Sequence, residues 1–286
     1  RRYRHMPVVV GIDIYNLEAE AYGATVAEPE GNGVPSIHTY PCVTTAEVAD
    51  LPVLDPATAG RIPMILEAGR ELQALYPDAD VKVPVSGPFS LAGSLVGLDN
   101  LLMDCVMVPG DAAAALNHLV AGQVNVARAA HAAGLGVTTF ESAATPPLVS
   151  PGMFQAIVLP ALKHFLGVIG TVFGENIPCI VGGDTVPVLE FLMETRPGYI
   201  ICPSETDQTE FMRRMRQWPD VMVRVNMEPG LIAGGDEYSI ECEVDRVRAI
   251  AADRENACLG TGVLPYEADP KTVDMIAEYI RDLPSC

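Results

Sequence analysis

Several residues with reactive side chains follow directly on short apolar runs that are typical of strands. Asp13 and Glu141 bring carboxylates to such positions, and Cys202 brings a thiol. Carboxylates can transfer protons or bind a metal ion, and a deprotonated thiol is a zinc ligand. None of the five His lies at a predicted strand end, so a Ser-His-Asp or Cys-His catalytic apparatus has little support.

Each of these residues also has a purely structural interpretation. Asp13 could cap a following helix, although a site role is favoured because it ends an apolar run directly. Glu141 could equally accept backbone hydrogen bonds from the loop at 142–145. Asp184 opens a helical pattern and is better placed as an N-cap, and Cys202 could be an inert buried thiol.

Two cysteines and one carboxylate offer the nearest approach to a metal site. Cys202 and Cys242 could supply two sulfurs, and Glu141 or Asp184 from a neighbouring strand end could supply one oxygen. Cys242 lies in an acidic stretch that indicates an early helical turn. The chain contains no Cys-x-x-Cys and no His-x-Cys, so the zinc ligands that we predict are Glu141, Cys202 and Cys242.

The elements that must position these residues alternate along the chain. Short apolar runs predict strands at Pro7–Asp13, Val81–Ser86, Val137–Glu141, Pro178–Val181, Tyr199–Cys202, Met222–Val225 and Cys258–Gly260. Longer helical patterns predict helices at Arg61–Leu75, Leu91–Leu102, Asp111–Ala133, Pro151–Val168, Thr185–Thr195, Thr206–Arg216, Glu241–Ala252 and Pro270–Arg281. The alternation indicates repeated βα units and therefore a parallel sheet.

An α/β fold follows, and a (β/α)8 TIM-type barrel is the simplest closed arrangement for 286 residues. We predict a single barrel domain over 1–286, with an open doubly wound sheet as the alternative. Seven strand candidates stand against eight barrel strands, which indicates that the N-terminal leader and first strand are missing from this chain, or that one strand escaped detection. The Pro-rich segment Ala27–Pro56 is interpreted as a long surface excursion.

The composition argues against several classes of protein. Asp and Glu number 37 against 18 Lys and Arg, and the formal charge of -19 would repel nucleic acid and anionic membrane surfaces. No uninterrupted apolar run reaches the ~20 residues that span a bilayer. Seven Cys without a disulfide pattern or a signal peptide predict reduced thiols in the cytoplasm.

Five stretches in order along the chain resemble the uroporphyrinogen decarboxylase superfamily, which includes the decarboxylase and the corrinoid-dependent methyltransferases. They are Val10-Gly-Ile-Asp-Ile-Tyr with Glu20-Ala-Tyr-Gly, Gly87-Pro-Phe-Ser-Leu-Ala-Gly, residues 141–151, Gly182-Gly-Asp-Thr, and Leu259-Gly-Thr-Gly-Val-Leu-Pro. The resemblance implies the barrel fold. It also makes Asp13 look like the essential aspartate of the decarboxylase.

The sequence departs from both branches at particular positions. Ser94 stands where the resemblance implies a tyrosine of the decarboxylase, and Thr261 stands where it implies a histidine. No counterpart of the decarboxylase's Arg-rich loop is found, and the charge of -19 further disfavours an octa-anionic porphyrinogen. The His-x-Cys and Cys of the zinc-dependent thiol methyltransferases are replaced by Ile180, Gly182 and Val263.

Other corrinoid methyltransferases of the superfamily use one acidic residue and two cysteines, which Glu141 or Asp184 with Cys202 and Cys242 resembles most nearly. This resemblance implies a methyltransferase that demethylates a small O- or N-methyl compound and passes the methyl group to the Co(I) corrinoid of a partner protein. The alternatives are a cofactor-independent decarboxylase of a smaller acid, and a non-catalytic member that binds a corrinoid or tetrapyrrole. The expected partners are a corrinoid protein and a small methylated substrate, and a homodimer is compatible with the sequence. Neither nucleic acid nor a membrane is an expected partner.

The candidate site combines the strand-end residues with this chemistry. An ether or amine leaving group is poor until a proton or a Lewis acid neutralises its developing charge, so Asp13 or Glu141 is the predicted catalytic acid. Zinc on the three residues named above would be the Lewis acid, and the corrinoid would be carried by the partner. The predicted substrate-binding residues are Phe89, Ser90, Asp184 and Asn226.

Overall fold

The computed structural model describes residues 7–11 and 13–282, which form two compact units. The large unit comprises residues 7–181 and 187–198, and the small unit comprises residues 182–186 and 199–282. Each unit contains a parallel sheet with helices packed against it, which confirms the predicted α/β fold class.

The described residues contain the following elements. The strands are β1 (Val8–Val9), β2 (Thr25–Ala27), β3 (Ser36–Thr39), β4 (Val81–Ser86), β5 (Gly136–Phe140), β6 (Cys179–Ile180), β7 (Tyr199–Cys202), β8 (Met222–Asn226) and β9 (Ala257–Gly260). The helices are α1 (Asn16–Ala21), α2 (Thr45–Val48), α3 (Ile62–Leu75), α4 (Pro88–Val96), α5 (Leu98–Met107), α6 (Pro109–Ala132), α7 (Pro151–Met153), α8 (Leu159–Phe173), α9 (Leu189–Met193), α10 (Gln208–Met215), α11 (Pro229–Gly234), α12 (Glu237–Ala251) and α13 (Pro270–Asp282). A π-helical turn at Phe154–Val158 joins α7 to α8, and a 3-10 turn at Val186–Val188 precedes α9.

The sheet of the large unit has the strand order β1-β4-β5-β6, and all neighbouring strands are parallel. All six residues of β4 are buried, as is typical of a parallel strand that is covered on both faces. The pairing of β4 with β5 runs from Lys82 opposite Gly136 to Ser86 opposite Phe140. The carboxyl ends of these strands therefore lie at one edge of the sheet, where an α/β fold places its chemistry.

The long helix α6 is central to the large unit, since it contacts α2, α4, α5 and α8. It buries Leu116 and Leu119, and α8 buries Leu162 and Phe165, so these two helices form much of the apolar core. The helical stretch Pro151–Phe173 is long and apolar enough to cross a membrane by length and composition, with 44% of its most apolar window buried. Its contacts with α6 are those of a core helix.

The sheet of the small unit consists of β7, β8 and β9 in that order, again all parallel. Val223 and Val225 of β8 are buried and alternate with Met222, Arg224 and Asn226 on the opposite face. The helices α10 and α12 pack against this sheet, and α13 packs against α12.

All seven predicted strands are present, with ends that differ by a few residues; β1 is the shortest relative to its prediction, and Ile12 lies outside the described residues. Among the differences from the predictions, two concern the surroundings of the first strands of the large unit. The excursion Ala27–Pro56 contains β3 and α2, and β3 forms an antiparallel hairpin with β2. The helix predicted at Leu91–Leu102 is two helices bent by 110°, because Gly97 between them has φ +84°. Closure of the strands into a single barrel domain stays a prediction.

Candidate active site

A cavity of about 640 Å³ lies in the large unit at the carboxyl ends of β1, β4 and β5. Residues that follow these strands form one wall, and the hairpin β2–β3 forms another. The polar lining comprises Asp13, Tyr15, Asn16, Ser36, Ser90, Ser94 and Ser142, and the apolar lining comprises Ile14, Val34, Pro35, Ile37, Leu98, Ala143 and Leu148, with Tyr40 and Gly93. A mostly apolar cavity with a few convergent polar groups is suited to a small organic ligand.

A larger cleft of about 850 Å³ lies in the small unit beside residues that precede β8 and β9. It is lined by charged side chains that already pair with one another, such as Arg216 with Asp253 at 3.2 Å. The amino ends of parallel strands seldom carry chemistry in this class of fold. The smaller cavity at the carboxyl ends is therefore the better candidate.

Asp13 connects three elements at the wall of the cavity. Its Oδ2 atom lies 2.6 Å from Nη2 of Arg61, and its Oδ1 atom accepts a hydrogen bond from the side-chain amide of Asn16. The same amide donates to the carbonyl oxygen of Pro35 in the hairpin at 2.8 Å, and Arg61 also pairs with Glu20 at 2.5 Å. Asp13 therefore offers the cavity an ion-paired carboxylate whose position is fixed from several sides.

Tyr15 and Ser142 form a hydroxyl pair on the same cavity. The hydroxyl of Tyr15 donates a hydrogen bond to Oγ of Ser142, which is itself exposed. Burial raises the pKa of Tyr15 to about 12, and the nearby charge of Glu141 acts in the same direction. Tyr15 is therefore protonated at neutral pH and leaves the Ser142 hydroxyl proton free to point to a ligand.

Glu141 lies behind the cavity wall and is fully buried. Its carboxylate accepts hydrogen bonds from the backbone N–H groups of Phe89 and Ser90 at 3.0 and 2.7 Å, and from Oγ of Ser90 at 2.5 Å. It thus caps the amino end of α4, where the helix dipole favours negative charge. Gly87 permits this contact, because a Cβ atom there would lie 2.5 Å from Cδ of Glu141.

Burial raises the pKa of Glu141 to about 7, although its hydrogen bonds oppose the shift. Its contacts make it a positioning residue for Ser90, which lines the cavity, whereas Phe89 is buried in the core. The role of Glu141 as a catalytic acid and that of Phe89 in substrate binding stay predictions.

Glu18 provides a second buried anchor of the same kind. Its carboxylate accepts hydrogen bonds from the backbone N–H of Ser86 at 3.0 Å and from Oγ of Ser86 at 2.5 Å. Gln123 of α6 donates to the carbonyl oxygen of Ser86 at 2.6 Å. The end of β4 is thereby tied to α1 and α6, and burial raises the pKa of Glu18 to about 7.

The remaining predicted substrate-binding residues belong to the small unit. Asp184 is half-buried and accepts a hydrogen bond from Oγ1 of Thr206 at 2.7 Å. Asn226 is buried at the carboxyl end of β8, and its Oδ1 accepts from Nε of Arg224 at 2.9 Å. Their substrate-binding roles stay predictions.

The three predicted zinc ligands differ in their burial and in the hydrogen bonds that they already form. Cys202 is buried on the face of β7 opposite to Ile201, and burial raises the pKa of its thiol above the ordinary value. Cys242 is exposed on α12, and the oxygens of Glu141 already accept three hydrogen bonds. Within residues 7–11 and 13–282, no group of three or more His, Cys, Asp and Glu side chains is arranged to hold a metal ion. The role of Glu141, Cys202 and Cys242 as zinc ligands therefore stays a prediction.

Sequence reasoning missed three contributors to the cavity. Tyr15 belongs to the stretch Val10-Gly-Ile-Asp-Ile-Tyr that resembles the family, but nothing in the sequence two residues beyond Asp13 indicated that this tyrosine lines the site. Arg61 precedes α3 and reaches Asp13 from 48 positions away, which no local pattern indicates. The hairpin residues Val34 to Ile37 lie in the segment that was interpreted as a surface excursion.

Comparisons with known proteins agree with this description of the fold. The family model described as "Uroporphyrinogen decarboxylase (URO-D)" matches residues 1–283. A solved structure of a methyltransferase from Methanosarcina mazei superimposes with a TM-score of 0.83 at 17% sequence identity, covering 98% of this chain and 81% of that chain. At this identity the likeness concerns the fold. No curated protein matches the sequence.

Proposed function

Because this chain belongs to the uroporphyrinogen decarboxylase family, we propose that it is a methyltransferase that demethylates a small, uncharged O- or N-methyl compound. The single observation that carries the proposal is the neutral Tyr15–Ser142 pair on a largely apolar cavity of about 640 Å³. The likeness in fold to a methyltransferase supports it.

The chemistry of the leaving group explains why such a pair suits this reaction. When the methyl carbon is attacked, its bond to oxygen or nitrogen breaks and the electron pair stays on the leaving atom, which must then gain a proton. The Ser142 hydroxyl can donate to that atom, and Tyr15 can pass its proton to Ser142 in turn. Acid catalysis is needed most where the leaving group is a strongly basic alkoxide and least where it is a phenolate, so the hydroxyl pair suits aliphatic methyl ethers.

The methyl acceptor that we propose is the Co(I) corrinoid of a separate carrier protein, which supplies the nucleophile when it is bound. The lining residues Val34, Tyr40 and Leu148 are 65%, 49% and 45% exposed. These apolar side chains fit the flat apolar face of a corrin ring, and no charged side chain of this rim has to be desolvated. The ion-paired Asp13 holds Asn16 and thereby the hairpin in place.

The test is methyl transfer to free Co(I) cobalamin from aliphatic methyl ethers, aryl methyl ethers and methylamines, followed by the absorbance of the cobalt. We expect transfer from at least one aliphatic ether. Both Tyr15→Phe and Ser142→Ala should lower kcat by about a hundredfold. Tyr266→Phe is the matched control and should have no effect, because Tyr266 is 71% exposed and does not line the cavity.

Two results would overturn the proposal. One is the absence of cobalt alkylation with the whole panel, together with release of carbon dioxide from a carboxylic acid, which would favour a decarboxylase. The other is full activity of both Tyr15→Phe and Ser142→Ala, which would remove the hydroxyl pair from the reaction.

A further inference from the structure

The sheet of the small unit presents an arginine on one face of its middle strand. Arg224 alternates with the buried Val223 and Val225 and is itself half-buried. Strand pairing places Cys258 of β9 opposite Arg224, and it places Tyr199 of β7 opposite Met222 on the same face. Side chains of paired residues in a parallel ladder lie on one face, about 4.8 Å apart between strands.

The guanidinium of Arg224 is held in one position by its neighbours. Its Nε atom donates to Oδ1 of Asn226 at 2.9 Å. The guanidinium is also near enough to the Tyr199 hydroxyl to oppose the rise in the pKa of Tyr199 that burial causes. The aliphatic stem lies over Gly260, since a Cβ atom at that glycine would lie 2.8 Å from Cγ of Arg224. The Arg224 side chain is therefore already ordered, and a ligand would not have to restrict its rotamers on binding.

Arg224 lacks the carboxylate partner that several other arginines of the small unit have. Arg213 and Arg214 pair with Glu210, Arg216 with Asp253 and Arg246 with Glu243. Arg254 also has no ion pair, but its guanidinium is taken up by backbone carbonyl oxygens such as that of Met215 at 2.9 Å. Among the residues that the structure describes, none forms an ion pair with Arg224, in a chain that has 37 Asp and Glu. A fixed, half-buried guanidinium without a counter-ion is prepared for an external anion.

We propose that Arg224, together with Tyr199, binds the carboxylate of a small monoanionic ligand on this face of the small unit. The fork of a guanidinium matches the two oxygens of a carboxylate, and the Tyr199 hydroxyl adds a third polar contact. One cation neutralises one negative charge, and the net charge of -19 opposes polyanions. The site does not depend on the proposed methyl transfer, and it is tested without measuring activity.

Two exposed cysteines allow a sharp test in the full chain. Cys258 lies opposite Arg224, whereas Cys242 is on α12, so the two thiols serve as reporter and internal control. Their alkylation by iodoacetamide is followed by peptide mass spectrometry, with benzoate, its neutral analogue benzamide, or inorganic phosphate added at constant ionic strength. Bound carboxylate covers Cys258 and neutralises the guanidinium that favours its thiolate, so alkylation slows.

We expect benzoate to slow alkylation of Cys258 several-fold and saturably, with half-effect on the order of 10 mM, while Cys242 reacts at an unchanged rate. Arg224→Gln should raise the benzoate concentration required by about tenfold or more, and Tyr199→Phe should raise it less. Arg216→Gln is the matched control and should change nothing, because Arg216 is exposed and paired with Asp253.

The wild-type measurement alone can overturn the proposal, whatever happens to the variants. It is overturned if benzoate leaves the rate of Cys258 unchanged, or if benzamide protects Cys258 as well as benzoate does. Stronger protection by phosphate would overturn the choice of a monoanionic carboxylate. Undiminished protection in a folded Arg224→Gln protein would remove Arg224 from the site.

Discussion

Gly87→Ala should destabilise the protein strongly, although the backbone at this position suits alanine. Gly87 has φ -71° and ψ 156°, which any residue adopts without strain. The added methyl group would nevertheless lie 2.5 Å from Cδ and 2.8 Å from Cβ of Glu141. Glu141 is fully buried and cannot move away without giving up hydrogen bonds to Phe89 and Ser90.

The magnitude follows from these two consequences. Overpacking of a close-packed interior costs about 1–3 kcal/mol. A buried donor that loses its acceptor costs about 1–3 kcal/mol more, so the total free energy of unfolding should fall by about 3 kcal/mol or more. Gly167→Ala is the control: Gly167 is an exposed position within α8, and a Cβ atom there would contact nothing within 4 Å. Its substitution should stabilise the helix by about 1 kcal/mol.

Urea unfolding followed by circular dichroism measures both variants, with an unchanged slope as the condition for comparison. The decisive measurement adds Glu141→Gly, alone and with Gly87→Ala, in a double-mutant cycle. Without the carboxylate and the Cβ atom of residue 141, the methyl group at position 87 has room, and its cost should fall to a small fraction of the value in the wild type. An equal cost in both backgrounds would refute the steric reasoning.

Two further predictions concern the carboxylates. The free energy of unfolding should decrease as pH rises from about 4.5 to about 7 and should then level off. Glu18 and Glu141 have pKa values of about 7 in the folded protein, against 4.5 in the free side chain. The unfolded chain therefore loses these protons at a lower pH than the folded protein does. Each carboxyl group should account for a loss of about 3 kcal/mol at most in the free energy of unfolding. Urea midpoints that increase over this pH range would contradict the raised pKa values of Glu18 and Glu141. Asp207→Ala should lower stability by about 1 kcal/mol in thermal unfolding, since its side chain caps α10 by accepting from the N–H of Glu210 at 3.0 Å. Asp207→Asn should retain most of that stability, and equal losses in the two variants would contradict a capping role.

The parallel strands could be predicted because a short, nearly continuous apolar run in the local sequence indicates a buried strand. Val81–Ser86 and Tyr199–Cys202 are apolar runs of strand length, and the structure gives them the same ends. The hairpin of β2 and β3 could not be predicted in this way, since most of its residues are exposed and show no alternation of apolar and polar side chains. Its stability comes from pairing between strands that are separated by a loop, which a local pattern does not encode.

The candidate site was predictable only where it coincides with strand ends. Asp13, Ser90 and Glu141 follow strands, and the structure confirms that position for each. Whether such a side chain faces the cavity or anchors a helix depends on partners distant in sequence, as the contacts of Glu141 with Ser90 show. The face of a strand is equally decisive, since Arg224 and Val225 are neighbours in sequence and lie on opposite sides of the sheet.

The hairpin that lines the cavity can change in sequence without disturbing the parallel sheet. Its strands pair only with each other among the described strands, so the parallel sheet holds its hydrogen bonds without them. Val34 and Ile37 can therefore be exchanged by mutation while Glu18 and Glu141 continue to fix the scaffold. Related genes that act on different compounds are expected to have diverged first at residues 34–37.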